Sequence, residues 1–233
     1  MKQQEIMLNT LIKENFIEEM SYKDIGDDHL YTGLETPMKQ NAFDLSDAEK
    51  KIKIAHLFAQ IMDVMGLDLT NDSLRGTPNR VAKMYIDEIF SGLNPINKPN
   101  ISLFDNSYKY NQMLVEKNIT FYSNCEHHFV PIIGKAHIAY ISSGKVIGIS
   151  KINRIVQYYA KRPQVQERLT NQIANELISI LDTENVAVII DAKHLCVSSR
   201  GIKDDTSATV TCYYGGAFKE TQKIVELQNY LNQ

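Results

Sequence analysis

The chain changes character near residue 100, and that change restricts its fold more than any other feature. Before it, apolar residues recur at helical spacing between explicit start and stop signals. Ser46-Asp47-Ala48-Glu49 is a capping box, in which the Ser46 hydroxyl bonds the Glu49 amide while the Glu49 carboxylate reaches back. A helix is therefore predicted to start there; Ile54, Leu57, Phe58, Ile61, Met62 and Met65 keep its spacing as far as Gly66, which suits a left-handed stop. Thr77-Pro78 is a second start, a cap followed by proline at the first helical position. Val81, Met84, Tyr85, Ile86 and Ile89 carry that helix towards Gly92.

After a connection rich in Asn and Pro, the apolar residues gather into short β-prone runs at 119–123, 136–141 and 146–149. Ser142-Ser143-Gly144-Lys145 reads as a hairpin-type turn between the last two. Ser150 is expected to cap a helix over 151–160, and Pro163 to break it before a longer helix over 164–181. An apolar strand over 186–191 leads into His194 and Cys196, a further strand over 207–214 is closed by Gly215-Gly216, and residues 219–231 form an amphipathic helix. Helices first, then strands and helices interleaved, predict an α+β fold with a largely antiparallel sheet. Residues 1–45 show no sustained period and read as an extension, partly helical or irregular.

Composition removes several classes of function. The 233 residues suffice for a proper core without disulfide staples. Three cysteines are an odd number, and the polar amphipathic start lacks a signal-peptide pattern, so a cytoplasmic protein with reduced thiols is expected. No apolar run approaches the roughly 20 residues that a spanning helix needs, which excludes a membrane role of that kind. A net charge of -3 argues against a general nucleic-acid binder. Local basic clusters remain, at Lys151, Arg154, Lys161, Arg162 and Arg168 and again at Lys193, Arg200 and Lys203, and they suit a small anion.

The chemistry concentrates in Cys125-Glu126-His127-His128 and His194-Leu195-Cys196, which together hold two thiols and three imidazoles. That is a surplus for one divalent ion, because a closed zinc site takes four ligands and a catalytic one takes three with a position left for water. Cys125 and His128 form a C-x-x-H pair suited to a tight loop around a metal. Adjacent residues on extended backbone point to opposite sides, so His127 and His128 are not expected to share one ion, whereas His194 and Cys196, two apart on a strand, should point the same way. One reading takes Cys125, His128 and Cys196 as zinc ligands and leaves His127 and His194 to move protons, where zinc would bring the pKa of its water to about 7. The other is a closed structural knot with His194 as fourth ligand, or three unrelated buried residues. Spacing leaves both open. Cys212 has no partner motif and reads as a buried strand residue.

Between the two metal halves, Ser150-Lys151-Ile152-Asn153-Arg154 stands at a predicted helix N-terminus, where free amides already favour an anion. Lys151 and Arg154 share a helix face, Arg200 follows Cys196 closely, and Arg80 lies on the Thr77-Pro78 helix. Together these suit a polyphosphate. Glu167, beside Gln166, is able to accept two N–H bonds from a planar amidine edge such as that of guanine; a favourable first-turn acid is the alternative.

These residues carry a family resemblance. Thr77-Pro78-Asn79-Arg80-Val81-Ala82-Lys83-Met84-Tyr85, Cys125-Glu126-His127-His128-Phe129, the run 150–154, Arg162-Pro163-Gln164-Val165-Gln166-Glu167-Arg168-Leu169-Thr170 and His194-Leu195-Cys196-Val197 with Arg200-Gly201 resemble, in order, the GTP cyclohydrolase I family. The resemblance spans about residues 46–220 and implies a catalytic domain over 46–233, with the extension over 1–45 outside it. It implies a tunnelling fold whose antiparallel sheets close into a barrel on oligomerisation, as a homodecamer of two pentamers with active sites between subunits. The implied reaction converts GTP and water to 7,8-dihydroneopterin triphosphate and formate. By position, Cys125, His128 and Cys196 match the Zn2+ ligands, and His127 and His194 the catalytic histidines, with Ser150 a further proton-transfer candidate. Glu167 and Gln166 match the guanine site, and Lys151, Arg154, Arg200 and Arg80 the triphosphate contacts, some from a neighbouring subunit. Reductase relatives that share the fold but use a nucleophilic cysteine lack this Cys/His pair.

Overall fold

A computed structural model of the chain describes residues 32–233. Most of the expected extension, residues 1–31, lies outside the described residues, and residues 32–46 carry turns and bends without helix or strand. Helix α1 (Asp47–Val64) begins at the expected capping box: Ser46 Oγ accepts from the Glu49 amide while Glu49 accepts the Ser46 amide at 2.8 Å. Gly66 ends it with φ of 79°. Met62 alone of its described residues is buried, and Leu57, Ile61 and Met65 leave an apolar stripe exposed.

Helix α2 (Thr77–Lys83) starts at Thr77, with Gly76 rather than Thr77 as its cap and Pro78 in the first turn. It runs on as a π-helical stretch, Met84–Ile89, and stops at Phe90. Gly92 lies just beyond, in a 3-10 turn where a Cβ would sit 2.0 Å from the Tyr158 carbonyl oxygen, so only glycine fits.

Seven strands follow: β1 (Leu103–Asp105), β2 (Met113–Cys125), β3 (Pro131–Ile141), β4 (Lys145–Ile147), β5 (Pro163–Gln164), β6 (Val186–His194) and β7 (Thr209–Tyr214). Five make one sheet in the order β5-β2-β3-β6-β7, antiparallel except for the parallel β2–β5 pair. The expected hairpin across residues 142–145 does not form. Strand β4 pairs with β1 instead, because Ser142 Oγ donates to the Lys145 carbonyl and accepts the Gly144 amide, turning the chain away from β3.

Helix α3 (Ile149–Ala160) is capped by Gly148, so Ser150 lies inside its first turn and is not the expected cap. The Gly148 amide is held by the Ser102 carbonyl, which fixes the helix entry two residues earlier. Helix α4 (Gln166–Leu181) begins later than expected because Pro163 and Gln164 are drawn into the sheet. Ile152, Ile155 and Val156 of α3 and Leu169, Ile173, Leu177 and Leu181 of α4 recur at helical spacing. They bury against Phe121, Ile138, Tyr140, Val188 and Ile190 of the sheet. Each such side chain contributes about 1.5–3 kcal/mol by leaving water. Alternation puts Met113, Ala139 and Ala187 on the opposite face, where Phe218 of a 3-10 turn (Gly216–Lys219) and Leu227 of the C-terminal helix (Thr221–Leu231) cover them.

Candidate metal centre

Strand register brings the two metal halves together. Asn124 pairs with Pro131, Cys125 with Gln164, and Ile132 with His194, so the ends of β2 and β6 and the N-terminus of α4 meet at one end of the sheet. Beyond Cys125 the chain makes a tight turn over residues 126–128. The Phe129 amide donates to the Cys125 carbonyl, the Cys125 amide to the Val130 carbonyl, and Phe129 takes a left-handed φ of 54°. His127 and His128 thus diverge because of a turn, not because of strand alternation. Their ring centroids lie 6.4 Å apart.

Ligand atoms of Cys125, His128 and Cys196 lie within 4.8 Å of one another. Tetrahedral zinc–thiolate bonds of about 2.3 Å place ligand atoms about 3.8 Å apart, so a small contraction completes the set. Two thiols and an imidazole suit a borderline-soft ion better than the oxygen-seeking Mg2+ or Ca2+. Cys125 is buried, Cys196 half-buried and His128 exposed, which leaves the group open on one side. Burial pushes the Cys196 thiol up, and the neighbouring Cys125 adds to it; a cation there would reverse both effects.

His194 is the last residue of β6, and Cys196 already belongs to the short helix α5 (Leu195–Ser198). The expected same-side geometry on a strand therefore does not apply, since the backbone turns between them. Cys196 joins Cys125 while His194 turns to Gln166, its Nε2 2.7 Å from Oε1. Burial moves the His194 ring below the ordinary imidazole range, and the Glu167 carboxylate partly offsets this. His127 packs beside the site, Nδ1 3.6 Å from the Cys125 sulfur and Nε2 3.8 Å from the Glu126 carboxylate.

The basic residues separate into distinct groups. Arg200 reaches the site and donates to His128 Nε2 at 2.9 Å. Lys151 and Arg154 sit in the first half of α3, whose far end reaches the β5 strand beside Cys125. Lys151 to Ala160 spans about 13 Å along the axis. Ser150 and Arg154 are exposed, as is Arg80 on α2. Two arginines of the expected anion cluster are used inside the fold. Arg162 lies over the Tyr158 and Tyr159 rings and donates to the Gly92 carbonyl. Arg168, its side chain 3% exposed, pairs with Glu126 and donates to the Gly33 carbonyl at 2.9 Å. Sequence reasoning missed that pair and the Gln166–His194 bond; the only signal was that each pair comes from two motifs of the same site. Cys212, expected to be buried, is exposed on β7, the last strand of the sheet.

Glu167 is exposed in the first turn of α4, and Gln166 beside it is buried. Among the described residues no helix is long and apolar enough to cross a membrane. The GTP cyclohydrolase I family model matches residues 54–230. The chain is 59% identical over 218 residues to GTP cyclohydrolase 1 of Flavobacterium johnsoniae, covering 94% of this chain and 96% of that one. It is 54% identical over 190 residues to the enzymes of the same name from Escherichia coli and Salmonella arizonae, covering 82% of this chain and 86% of each.

Proposed function

The chain belongs to the GTP cyclohydrolase I family, and from that premise we propose that it converts GTP and water to 7,8-dihydroneopterin triphosphate and formate in the cytoplasm. The observation that carries this reading is the convergence of Cys125, His128 and Cys196 with His194 held just outside them. A closed structural knot would need His194 as fourth ligand, whereas among the described residues the group close enough to share an ion is Cys125, His128 and Cys196 without it.

Cys125, His128 and Cys196 would hold Zn2+, which when bound supplies Lewis-acid activation of water at neutral pH. His194 delivers a proton to purine N7 as the five-membered ring opens, and its depressed basicity favours release of that proton. His127, against the Glu126 carboxylate, is the second proton carrier for loss of the formyl group and for the ribose rearrangement and ring closure that follow. Ser150 is a further hydroxyl for those later transfers. Glu167 accepts the guanine N1–H and 2-amino hydrogens, and its exposure at the start of α4 beside the metal group supports that role.

Arg200 binds the triphosphate from the same chain. Lys151 and Arg154 are assigned to it from a neighbouring copy, which their distance along α3 from β5 supports, and Arg80 on α2 is a further contact. That assignment requires active sites between subunits, as in a homodecamer of two pentamers closing the sheets into a barrel. Incubation of the purified, zinc-loaded chain with GTP tests the proposal: formate and fluorescent oxidised neopterin are expected, and a folded, metal-loaded sample that releases neither would refute it.

A further inference from the structure

Gln166 is 2% exposed, yet both polar atoms of its side chain are engaged, and the way they are engaged carries information about His194. Its Nε2 faces the carbonyl oxygens of Ile190 at 3.1 Å and Thr209 at 2.8 Å and the hydroxyl of Thr211 at 3.2 Å. Carbonyls only accept, so the group facing them is the NH2. Turning the amide over would set Oε1 against two buried carbonyl oxygens and strip both of a donor, a substantial cost in a buried setting. The hydroxyls agree with this orientation. Thr170 donates to the Gln166 carbonyl at 2.9 Å, so across the 2.7 Å contact between the two threonines Thr211 is the donor. The Thr211 oxygen is then left to accept from Gln166.

With NH2 fixed on one side, the atom 2.7 Å from His194 Nε2 is the acceptor Oε1, so Nε2 carries a hydrogen. We propose that Gln166 is a positioning residue that fixes the tautomer of His194, making Nδ1 the nitrogen through which that ring takes and returns protons. Its side chain is therefore not a contact to the guanine base, as the family pattern suggests; that recognition is left to Glu167. The amide is anchored by β6, β7 and α4 at once, so the ring nitrogen is set by the sheet itself rather than by a mobile loop. The proposal deepens the proposed function and rests on its assignment of His194 as a proton carrier.

Neutron diffraction from deuterium-exchanged crystals of the metal-loaded full chain, grown above pH 8, reads the tautomer without reference to activity. Deuterium on Nε2 with none on Nδ1 is expected; deuterium on Nδ1 facing a bare Nε2 would overturn the proposal. In kinetics, Gln166→Met keeps the side-chain length and removes the acceptor. It should lower kcat by about 100-fold or more, within the contribution of a positioned acid–base group, with KM for GTP within about twofold. It should also cause no further loss in a His194→Ala background. A raised KM with kcat retained would overturn the proposal in favour of a base contact. If Gln166→Met does not fold, the neutron result on the unaltered chain decides. If the unaltered chain fails to turn over GTP, the proposed function falls while the tautomer remains decided by diffraction.

Discussion

Removing the Glu126 carboxylate should destabilise the protein far more than its position on a surface turn suggests. Arg168 is 3% and Glu126 18% exposed at the side chain, and both guanidinium NH groups address that carboxylate while Nε holds the Gly33 carbonyl. Glu126→Ala leaves a guanidinium buried without its counter-ion, a loss of about 3–5 kcal/mol. For a chain of this size that corresponds to a fall in Tm of about 6–20 °C. The companion change is the more discriminating. Adding Arg168→Met removes the stranded charge, and Glu126→Ala/Arg168→Met should recover about half of the loss or more, because a buried pair replaced by apolar groups costs little. Differential scanning calorimetry at fixed protein concentration, with metal saturating, measures Glu126→Ala, Arg168→Met and the double variant. A shift under about 2 °C for Glu126→Ala, or a double variant worse than the sum of the singles, would refute the reasoning.

Three further outcomes follow from the same geometry. Gly92→Ala places a methyl group 2.0 Å from the Tyr158 carbonyl oxygen and 2.8 Å from that of Lys161, both backbone atoms, so it should cost about 2 kcal/mol or more in denaturant unfolding. Cys125→Ser or Cys196→Ser should abolish stoichiometric zinc retention, read by elemental analysis after dialysis, while Cys212→Ser should retain it. His137, half-buried and accepting the Asn118 amide at 3.3 Å, has its pKa lowered chiefly by burial. A depressed native pKa means the unfolded chain binds the extra proton, so this stability is present above about pH 6.5 and is lost as pH falls through the native value. His137→Gln should flatten part of that acid slope in a pH series of unfolding midpoints, and an unchanged slope would contradict the assignment.

The helices and strands were legible where local signals and burial agree. The capping box at Ser46 and the left-handed stop at Gly66 are local facts, and the structure keeps them. Boundaries moved where a distant backbone group intervened: Ser102 captures Gly148 and shifts the start of α3, and β2 captures Pro163 and Gln164. Strand pairing was the harder part. Nothing between residues 141 and 147 says that β4 will join β1 rather than β3, since a turn signal states only that the chain turns.

At the site, the grouping of Cys125, His128 and Cys196 was legible because ligand chemistry and spacing leave few choices. Strand geometry is not what brings Cys196 there, since that residue lies on a helix and not on a strand. The supports of the site were not legible. Arg168 looked like an anion contact because sequence shows a charge but not its burial, and its partner Glu126 lies across the fold. The partners of the Gln166 side chain were hidden in the same way, since its acceptors include backbone carbonyls of strands β6 and β7.

In the proposed mechanism three side chains hold the metal and His194 works beside it without binding it. Metal content and GTP turnover of His194→Ala, measured on one preparation, test that claim most directly. A full complement of zinc, an unchanged assembly and loss of formate release are expected. Loss of zinc together with activity would contradict it and make His194 the fourth ligand of a closed site.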